Sequence, residues 1–217
     1  MKKEKINREF DQVYQSVKPD YYEQGIKRNI FQWYWHTKRY RAIKEMLNGC
    51  RGRALDIGCH SGDITKLIAE ATGGETHGLD ISSAAIEYAR RKYPDLHFRV
   101  TLAQSKFPEA DGYYDLVTCF DILEHFSSSE IEKIIQEIKR VLKGGGYLII
   151  GVPIENILWK IIWFFWNRAG SQAWRGTHLY KLTRRSLESL FEKNGFTKIQ
   201  EKNIHLGMWR IIKYKRS

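Results

Sequence analysis

Two acidic residues near the ends of apolar runs carry the first chemistry that this sequence suggests. Asp56 lies in the run 54–57, and a turn with Gly58 and Gly62 follows it. Asp80 ends the next such run. Glycines let a ligand approach the backbone closely, and the free N–H groups that open a helix suit hydrogen-bond acceptors. In an open α/β sheet, both carboxylates would lie at the edge where ligands bind.

The charge of Asp56 restricts the ligand that this turn can hold. A dinucleotide site favours glycine at that position, because a pyrophosphate and a carboxylate repel each other. An acid placed like Asp80, about 20 residues past the glycine turn, hydrogen-bonds ribose hydroxyls, and Ile81 would then lie against a purine ring. The two acids together favour a nucleoside that bears a positive charge. A P-loop is excluded, since no Gly-Lys-Ser/Thr follows. A structural turn and a nicotinamide site are the weaker alternatives.

S-adenosylmethionine is such a nucleoside, and here the sequence resembles the class I S-adenosylmethionine-dependent methyltransferases. Their first motif, acid-x-Gly-x-Gly-x-Gly, is matched from Asp56 to Gly62, with His60 in place of the middle glycine. Four later segments are also similar to the family: Asp115–Phe120, Asp121–His125, Leu142–Ile150 and His178–Phe196.

The resemblance implies S-adenosylmethionine as the cofactor and a set of residues around it. The implied cofactor-binding residues are Asp56, Gly58, Cys59, His60, Gly62, Asp80, Ile81 and Phe120. One departure concerns the nucleobase. Leu102 stands where many relatives carry an acid after the third strand, which removes a partner for the adenine amino group.

A second group of residues could handle a proton. Asp121, Glu124 and His125 fall at i, i+3 and i+4, which predicts that they share one face of a helical turn. A hydroxyl or amine acceptor needs help to lose its proton, and His125 and His178 are the candidate catalytic bases. With His178 as a distant ligand, the four residues resemble the metal site of ubiquinone-biosynthesis O-methyltransferases and of small-RNA 2′-O-methyltransferases. A structural role is the third interpretation, and a divalent metal is not favoured.

Alternating strands and helices must position these residues. The strands are predicted at 53–57, 75–80, 96–101, 114–119 and 146–151, and the helices at 62–72, 83–93, 128–142 and 183–194. The alternation predicts an α/β, Rossmann-like, doubly wound sheet that is mostly parallel. The resemblance implies seven strands with an antiparallel last one, formed by a hairpin of Phe196–Asn203 and Leu206–Tyr214.

The remaining segments flank this core. Residues 1–48 are predicted to be an N-terminal helical cap, interrupted near Pro19. Its aromatic cluster is predicted to pack on the sheet edge, with closure over the cofactor as a further option, and consists of Phe31, Trp33, Tyr34, Trp35 and Tyr40. Residues 49–217 would form the methyltransferase domain, with a helical lid insertion at about 154–178. Its apolar stretch 157–166 is shorter than the roughly 20 residues that span a bilayer. Three interpretations stay open for it: a helix that covers the sheet, a lid over an apolar acceptor, and a membrane-surface contact.

Charge and cysteines bound the setting. The net charge of +11 is concentrated in residues 1–48 and 155–217, which fits a solvated surface, an anionic acceptor, nucleic acid or lipid headgroups. Three cysteines without a CxxC pair and a polar N-terminus favour a cytoplasmic protein, peripheral to a membrane if it touches one. His36, His77, His97 and His205 have no partner visible in the sequence and are interpreted as incidental.

These observations favour a methyltransferase that acts on the oxygen of a small, apolar or lipid-like acceptor. Nucleic acid is a weaker partner, because the aromatic residues near 157–174 are not interleaved with arginines for base stacking. The alternatives are a metal-assisted RNA 2′-O-methyltransferase and a non-catalytic S-adenosylmethionine-binding protein. The sequence does not predict the oligomeric state.

Overall fold

The computed structural model describes residues 17–154 and 184–217, without the side chains of residues 184–186. The helices are α1 (Tyr21–Arg28), α2 (Ile30–Met46), α3 (Asp63–Thr72), α4 (Ser83–Lys92), α5 (Ser128–Val141) and α6 (Arg184–Lys193). The strands are β1 (Gly52–Ile57), β2 (Gly73–Asp80), β3 (His97–Val100), β4 (Tyr114–Phe120), β5 (Leu142–Pro153), β6 (Phe196–Ile204) and β7 (Trp209–Arg216). The lid insertion and His178 lie outside the described residues.

The strands form one seven-stranded sheet in the order β3-β2-β1-β4-β5-β7-β6. The pairs among β1 to β5 are parallel, and β7 runs antiparallel to both β5 and β6. This confirms the predicted sheet. The chain order reverses between β1 and β4, which leaves a crevice beyond their carboxyl ends.

Residues that alternate along the central strands supply two separate cores. Ala54 belongs to one buried cluster and Leu55 to the other, and Leu116 and Val117 divide in the same way. This is the period of two that a strand imposes when both of its faces are covered. Helices α2 and α3 cover one face, and α5 and α6 cover the other. The sheet is therefore doubly wound, and its strand ends are held from both sides.

Local sequence signals explain several helix ends. The capping box of Ser127 and Glu130 opens α5, whose isoleucines at i, i+3, i+4 and i+7 from Ile131 are fully buried. The N-terminal helical region is interrupted at Asn29, between α1 and α2, and residues 17–20 before α1 are not helical. The Asn29 side chain accepts a hydrogen bond of 2.8 Å from the N–H of Phe31 and so begins α2.

The predicted packing of the aromatic cluster on the sheet edge is wrong for its first members. Phe31 is 74% exposed, and Trp33 and Tyr34 are each 51% exposed. The physical reason is the position of α2, whose buried contacts come mainly from its second half, with Ile43 and Met46 fully buried. Trp35 instead stacks on His205, with ring centroids 3.7 Å apart.

The predicted boundaries are shifted at β5 and β7. Strand β5 starts directly where α5 ends, and β7 starts at Trp209 because residues 205–207 form a short 3-10 turn with left-handed φ values. In the part of the chain that the structure describes, no helix is both long and apolar enough to cross a bilayer.

Candidate active site

Asp56 lies buried beneath the crevice at the end of β1. Its Oδ2 accepts a hydrogen bond of 2.7 Å from the Thr65 hydroxyl, and its Oδ1 accepts one of 2.7 Å from the Thr118 hydroxyl. Burial raises the pKa of Asp56 to about 6, although the two hydroxyls lower it. Both carboxylate oxygens thus already have partners in the protein. Asp56 would therefore act on a ligand in the crevice through its negative charge and not through a hydrogen bond.

The glycine turn after β1 is fastened to the end of β2. The N–H groups of Gly58 and Cys59 donate to the Leu79 carbonyl at 2.7 and 3.0 Å. The N–H of His60 donates to Asp80 Oδ2 at 2.9 Å. Gly58 has φ of +79°, and a Cβ there would overlap the Ile122 side chain. The turn therefore needs glycine both for its backbone conformation and for space.

Asp80 stands at the edge of a cavity with a volume of about 140 Å³. Its Oδ1 accepts a hydrogen bond of 2.8 Å from the Ser82 N–H, and a carboxylate has about four acceptor positions in all. Burial raises the pKa of Asp80, while the Ser82 and His60 N–H groups lower it. The cavity wall also includes Gly58, Ile81, Leu102, Ala103, Gln104, Ile122, His125 and Phe126.

Gln104 is a cavity residue that the sequence analysis missed. Its Oε1 is buried and has no hydrogen-bond partner among the described residues. An unpaired buried acceptor is costly, so its presence in a cavity wall points to a ligand donor. Gln104 lies two positions after Leu102, where the sequence analysis found no partner for an adenine amino group. No single-sequence signal marks a glutamine for this role.

The N-terminal helices cover the glycine turn. The Tyr22 ring meets the His60 ring edge-on, with centroids 5.2 Å apart, and contacts the His36 ring at 5.4 Å. The Lys92 ammonium bonds to Asp63 at 2.7 Å and also pairs with Glu23 of α1, which fastens α1 over the turn.

His36 is buried under this cover, and His60 is half-buried. His36 has partners that the sequence did not reveal, because its Nε2 lies 3.2 Å from Gln32 Oε1, and burial lowers its pKa to about 4. Burial also lowers the pKa of His60, and both of its ring nitrogens lack hydrogen-bond partners among the described residues.

Two other predicted cofactor residues have contacts within the protein. Cys59 packs in a small core cluster with Ile86 and Phe98, and burial raises the pKa of its thiol. Phe120 is 6% exposed, and its ring lies 6.3 Å from that of Trp209. Neither side chain lines the described cavity. Their contact with the cofactor stays a prediction.

The predicted acid–histidine face after β4 is only partly formed. Leu123–His125 make a 3-10 turn, but Asp121 has φ of +54° and lies outside it, so the shared helical face is wrong for Asp121. Glu124 Oε1 lies 4.0 Å from His125 Nε2. Burial, with the Asp121 charge adding to it, raises the pKa of Glu124 well above its usual range.

Asp121 has partners of its own. Its Oδ1 accepts a hydrogen bond of 2.6 Å from the Trp209 indole N–H, and its Oδ2 forms an ion pair with Arg39. Within the described residues, the donor atoms of Asp121, Glu124 and His125 do not converge to within 4.8 Å of one another. These contacts weigh against the metal site implied by the resemblance, which stays a prediction because His178 lies outside the described residues.

A family model and a curated relative are similar to this chain. A family model described as a methyltransferase domain matches residues 54–146. Over 174 residues, the chain is 27% identical to a demethylmenaquinone methyltransferase of Chlorobaculum parvum, covering 76% of this chain and 71% of that protein. These matches support a class I S-adenosylmethionine-dependent methyltransferase, which this chain resembles in its sequence motifs.

A second sequence relative and a solved structure are also similar to this methyltransferase. It is 29% identical over 123 residues to the ubiquinone biosynthesis O-methyltransferase of Nitrosomonas europaea, covering 54% of this chain and 51% of that protein. Its fold is similar to that of magnesium protoporphyrin IX methyltransferase from Synechocystis, solved with bound S-adenosylhomocysteine. The TM-score is 0.68 with 18% identity, over 87% of this chain and 88% of that one. The predicted family and fold are thereby confirmed.

The residues at the cavity fit an adenosyl group. The cavity lies at the crevice where doubly wound sheets bind ligands, with a carboxylate, an apolar wall and an unpaired acceptor in one place. This combination suits a ribose diol, a purine face and an exocyclic amine, respectively. It does not depend on a metal.

Proposed function

We propose that this methyltransferase transfers a methyl group from S-adenosylmethionine to an oxygen of a small acceptor with an apolar, lipid-like body. The names of the relatives carry the proposal, because one is a demethylmenaquinone methyltransferase and another is an O-methyltransferase of ubiquinone biosynthesis. The ubiquinone relative is named as an O-methyltransferase, which supports oxygen as the methylated atom.

In the proposed complex, three side chains of the cavity wall hold the adenosyl group. Asp80 accepts hydrogen bonds from the ribose hydroxyls, Ile81 packs on the purine ring, and Gln104 Oε1 accepts one from the adenine amino group. The Asp56 carboxylate stabilises the positive sulfur from beneath the glycine turn. Each contact uses a lone pair or an apolar surface that the protein itself leaves open.

Bound S-adenosylmethionine would supply an activated methyl carbon, so the chain has to align the acceptor and exclude water. Tyr22 lies over His60 of the glycine turn and helps to exclude water. His125, a buried residue of the cavity wall, is the proposed base that takes the acceptor's hydroxyl proton. His178 is the second candidate, and it lies outside the described residues.

The exposed surface of α2 supports contact with a membrane that would hold such an acceptor. Four large apolar residues are exposed at its start: Ile30, Phe31, Trp33 and Tyr34. Exposed lysines and arginines flank them, and residues 24–44 contain no Asp or Glu. Aromatic and basic side chains together suit the surface of an anionic bilayer. The apolar stretch 157–166, outside the described residues, is the other proposed contact.

Methyl transfer to defined acceptors tests the proposal. The protein is incubated with radiolabelled S-adenosylmethionine and a hydroxylated quinone precursor with an isoprenoid tail, in anionic vesicles. The same ring without a tail and total RNA serve as competing acceptors. We expect label in the tailed acceptor as an acid-stable ether, and less label with Asp80→Ala when the cofactor concentration is limiting. Label in RNA alone, with no labelling when EDTA is present, would favour metal-assisted 2′-O-methylation. Binding of S-adenosylmethionine without any methyl transfer would favour a non-catalytic binding protein.

A vesicle assay tests the membrane contact separately. The protein is sedimented with vesicles of phosphatidylcholine alone or mixed with phosphatidylglycerol. We expect binding to the mixed vesicles that salt weakens, and a loss of binding when Phe31 and Trp33 are both changed to serine. Equal sedimentation of the double variant would exclude α2 as the contact. Ile199→Ser, which removes an exposed apolar side chain of β6, is the matched control.

A further inference from the structure

A cluster of imidazole and carboxylate groups lies toward the opposite ends of the strands from the nucleoside cavity. His77 of β2 pairs in register with His97 of β3, and Glu75 lies two residues before His77, on the same face of β2. Their ligating atoms all lie within 4.8 Å of one another. The sequence analysis found no partner for either histidine, whereas the structure places both beside Glu75.

Two tyrosines bind the outer atoms of Glu75 and His77 and leave one atom of each side chain facing the centre of the cluster. The hydroxyl of Tyr113 donates to Glu75 Oε2 at 2.8 Å, which leaves Oε1 facing His77 Nε2 at 3.0 Å and His97 Nε2 at 4.0 Å. On the far side of the His77 ring, Nδ1 lies 2.6 Å from the Tyr114 hydroxyl. Partners of this kind orient the ligands in metal sites.

A separate observation also points to a ligand at this place. A cavity of about 310 Å³ is lined by His77, His97, Arg99 and Glu109, among others. The Glu109 side chain is 7% exposed, and its Oε1 accepts a hydrogen bond of 3.0 Å from Arg99. Its Oε2 is buried and has no hydrogen-bond partner among the described residues. Glu109 Oε1 also lies 3.5 Å from His77 Nδ1, the ring nitrogen opposite the one that faces Glu75. The cavity therefore offers an open acceptor beside the cluster, and Glu109 supports the outer side of the His77 ring.

We propose that Glu75, His77 and His97 bind a divalent transition metal ion such as Zn²⁺. Two imidazoles and one carboxylate, with water in the fourth position, are a ligand set that Zn²⁺ accepts. Tetrahedral ligands at normal zinc bond lengths lie about 3.3 Å apart, so small side-chain rotations close the site.

Metal binding would move the proton of the neutral His77 ring from Nε2 to Nδ1. Without metal, Nε2–H donates to Glu75 Oε1, and Nδ1 accepts from the Tyr114 hydroxyl. With metal, Nε2 would be the ligand, Nδ1–H would donate a hydrogen bond to the Tyr114 oxygen, and the Tyr114 hydroxyl would donate to the neighbouring Glu109 carboxylate. No oxidation occurs, and the ion keeps its charge.

A metal at this site would link β3, the edge strand of the sheet, to β2, close to the wall of the nucleoside cavity. β3 is a four-residue edge strand, and its pairing with β2 runs from His77↔His97 to Asp80↔Val100. Thr101 and Leu102 of the cavity wall follow directly after this pairing. A metal bridge between β2 and β3 stabilises the folded state by mass action, because the unfolded chain has no formed site.

Metal titration of the whole protein tests the site. The chain is stripped with EDTA and dialysed, then titrated with Zn²⁺ by calorimetry and with Co²⁺ by visible absorption. We expect one equivalent of Zn²⁺, the intense d–d bands of a tetrahedral Co²⁺ complex, and a rise in melting temperature. His97→Asn and Glu75→Gln should each weaken Zn²⁺ binding by at least about tenfold. Both residues are exposed or half-exposed, so the variants should fold.

The control variant is Glu70→Gln, which removes an exposed carboxylate of α3 that pairs with Lys66. It should bind Zn²⁺ as the parent protein does. Octahedral Co²⁺ bands, or a Zn²⁺ affinity that His97→Asn leaves unchanged, would overturn the proposal. So would the absence of any binding, which would show that these groups form only a hydrogen-bonded cluster. S-adenosylhomocysteine binding, measured in parallel, is independent of this outcome.

Discussion

The backbone N–H of His60 donates a hydrogen bond of 2.9 Å to Asp80 Oδ2, and so the acid at the end of β2 holds the glycine turn that follows β1. The same carboxylate borders the nucleoside cavity. Asp80 therefore has two tasks, because it fixes the shape of the turn and presents its remaining lone pairs to a ligand. A cofactor that binds here meets a turn that is already in place.

Gln104 should account for recognition of the adenine amino group. We expect Gln104→Ala to weaken S-adenosylhomocysteine binding by about 1 kcal/mol, the net value of one hydrogen bond. The matched ligand is the homocysteine conjugate of purine riboside, which lacks the 6-amino group. It should bind the parent protein more weakly than S-adenosylhomocysteine, and Gln104→Ala should cause no further loss. Calorimetry measures all four affinities, and simple additivity of the two losses would exclude the contact.

Gly58→Ala should destabilise the fold more than the same change at another left-handed glycine. A Cβ at Gly58 overlaps Ile122, whereas a Cβ at Gly112, with φ of +62°, meets nothing nearer than Lys143 Cα at 3.9 Å. We expect a loss of about 3 kcal/mol in the free energy of unfolding at Gly58, and about 1 kcal/mol at Gly112. Urea denaturation measures both values.

Ile122→Ala supplies the control for the overlap. If the clash with Ile122 causes the difference, the double variant Gly58→Ala/Ile122→Ala should be more stable than the two single losses predict, by at least about 1 kcal/mol. Equal losses at Gly58 and Gly112, with no coupling to Ile122, would mean that the turn has room to adjust.

The affinity for the positively charged cofactor should depend on pH through Asp56. Burial raises the pKa of Asp56 to about 6, so its charge is largely absent at pH 5 and present at pH 7. S-adenosylmethionine carries a positive sulfur and S-adenosylhomocysteine does not. We expect the ratio of their association constants to rise about fivefold between pH 5 and 7, and to stay flat in Asp56→Asn. A flat ratio in the parent protein would contradict the role of the charge.

The same shift fixes the sign of a stability effect. The folded protein holds the Asp56 proton more tightly than the unfolded chain, because the pKa rises from 3.8 to about 6 on folding. The contribution of Asp56 to the free energy of unfolding is therefore largest below pH 4 and is lost as the pH rises to about 6. Urea denaturation measures the free energy of unfolding of the parent protein and of Asp56→Asn between about pH 4 and 6. The parent should lose stability relative to Asp56→Asn as the pH rises. Parallel profiles would contradict the shift.

The sequence predicts the parts of the site that depend on short-range spacing. Asp56, Gly58 and Asp80 follow from one strand, one turn and the next strand, and parallel pairing brings their ends together. Residues that reach the site from elsewhere were not predicted. Tyr22 meets His60 because α1 folds over the turn, and Gln104 enters the cavity wall from an irregular loop. Neither placement has a periodic signal in the sequence.

Two errors have a specific cause in the backbone. The i, i+3, i+4 spacing of Asp121, Glu124 and His125 assumes a helix, but the left-handed φ of Asp121 turns its carboxylate to Trp209 and Arg39. His77 and His97 looked unpartnered because their contact depends on the register between β2 and β3. A single sequence carries little information about either feature.

The most direct test of the account is calorimetric titration of the parent protein and of Asp80→Ala with S-adenosylmethionine and with NAD. We predict one S-adenosylmethionine site in the parent protein, a loss of roughly 1–3 kcal/mol in Asp80→Ala, and no heat with NAD. Glu70→Gln should bind like the parent. NAD binding without S-adenosylmethionine binding, or an affinity that Asp80→Ala leaves unchanged, would contradict the account.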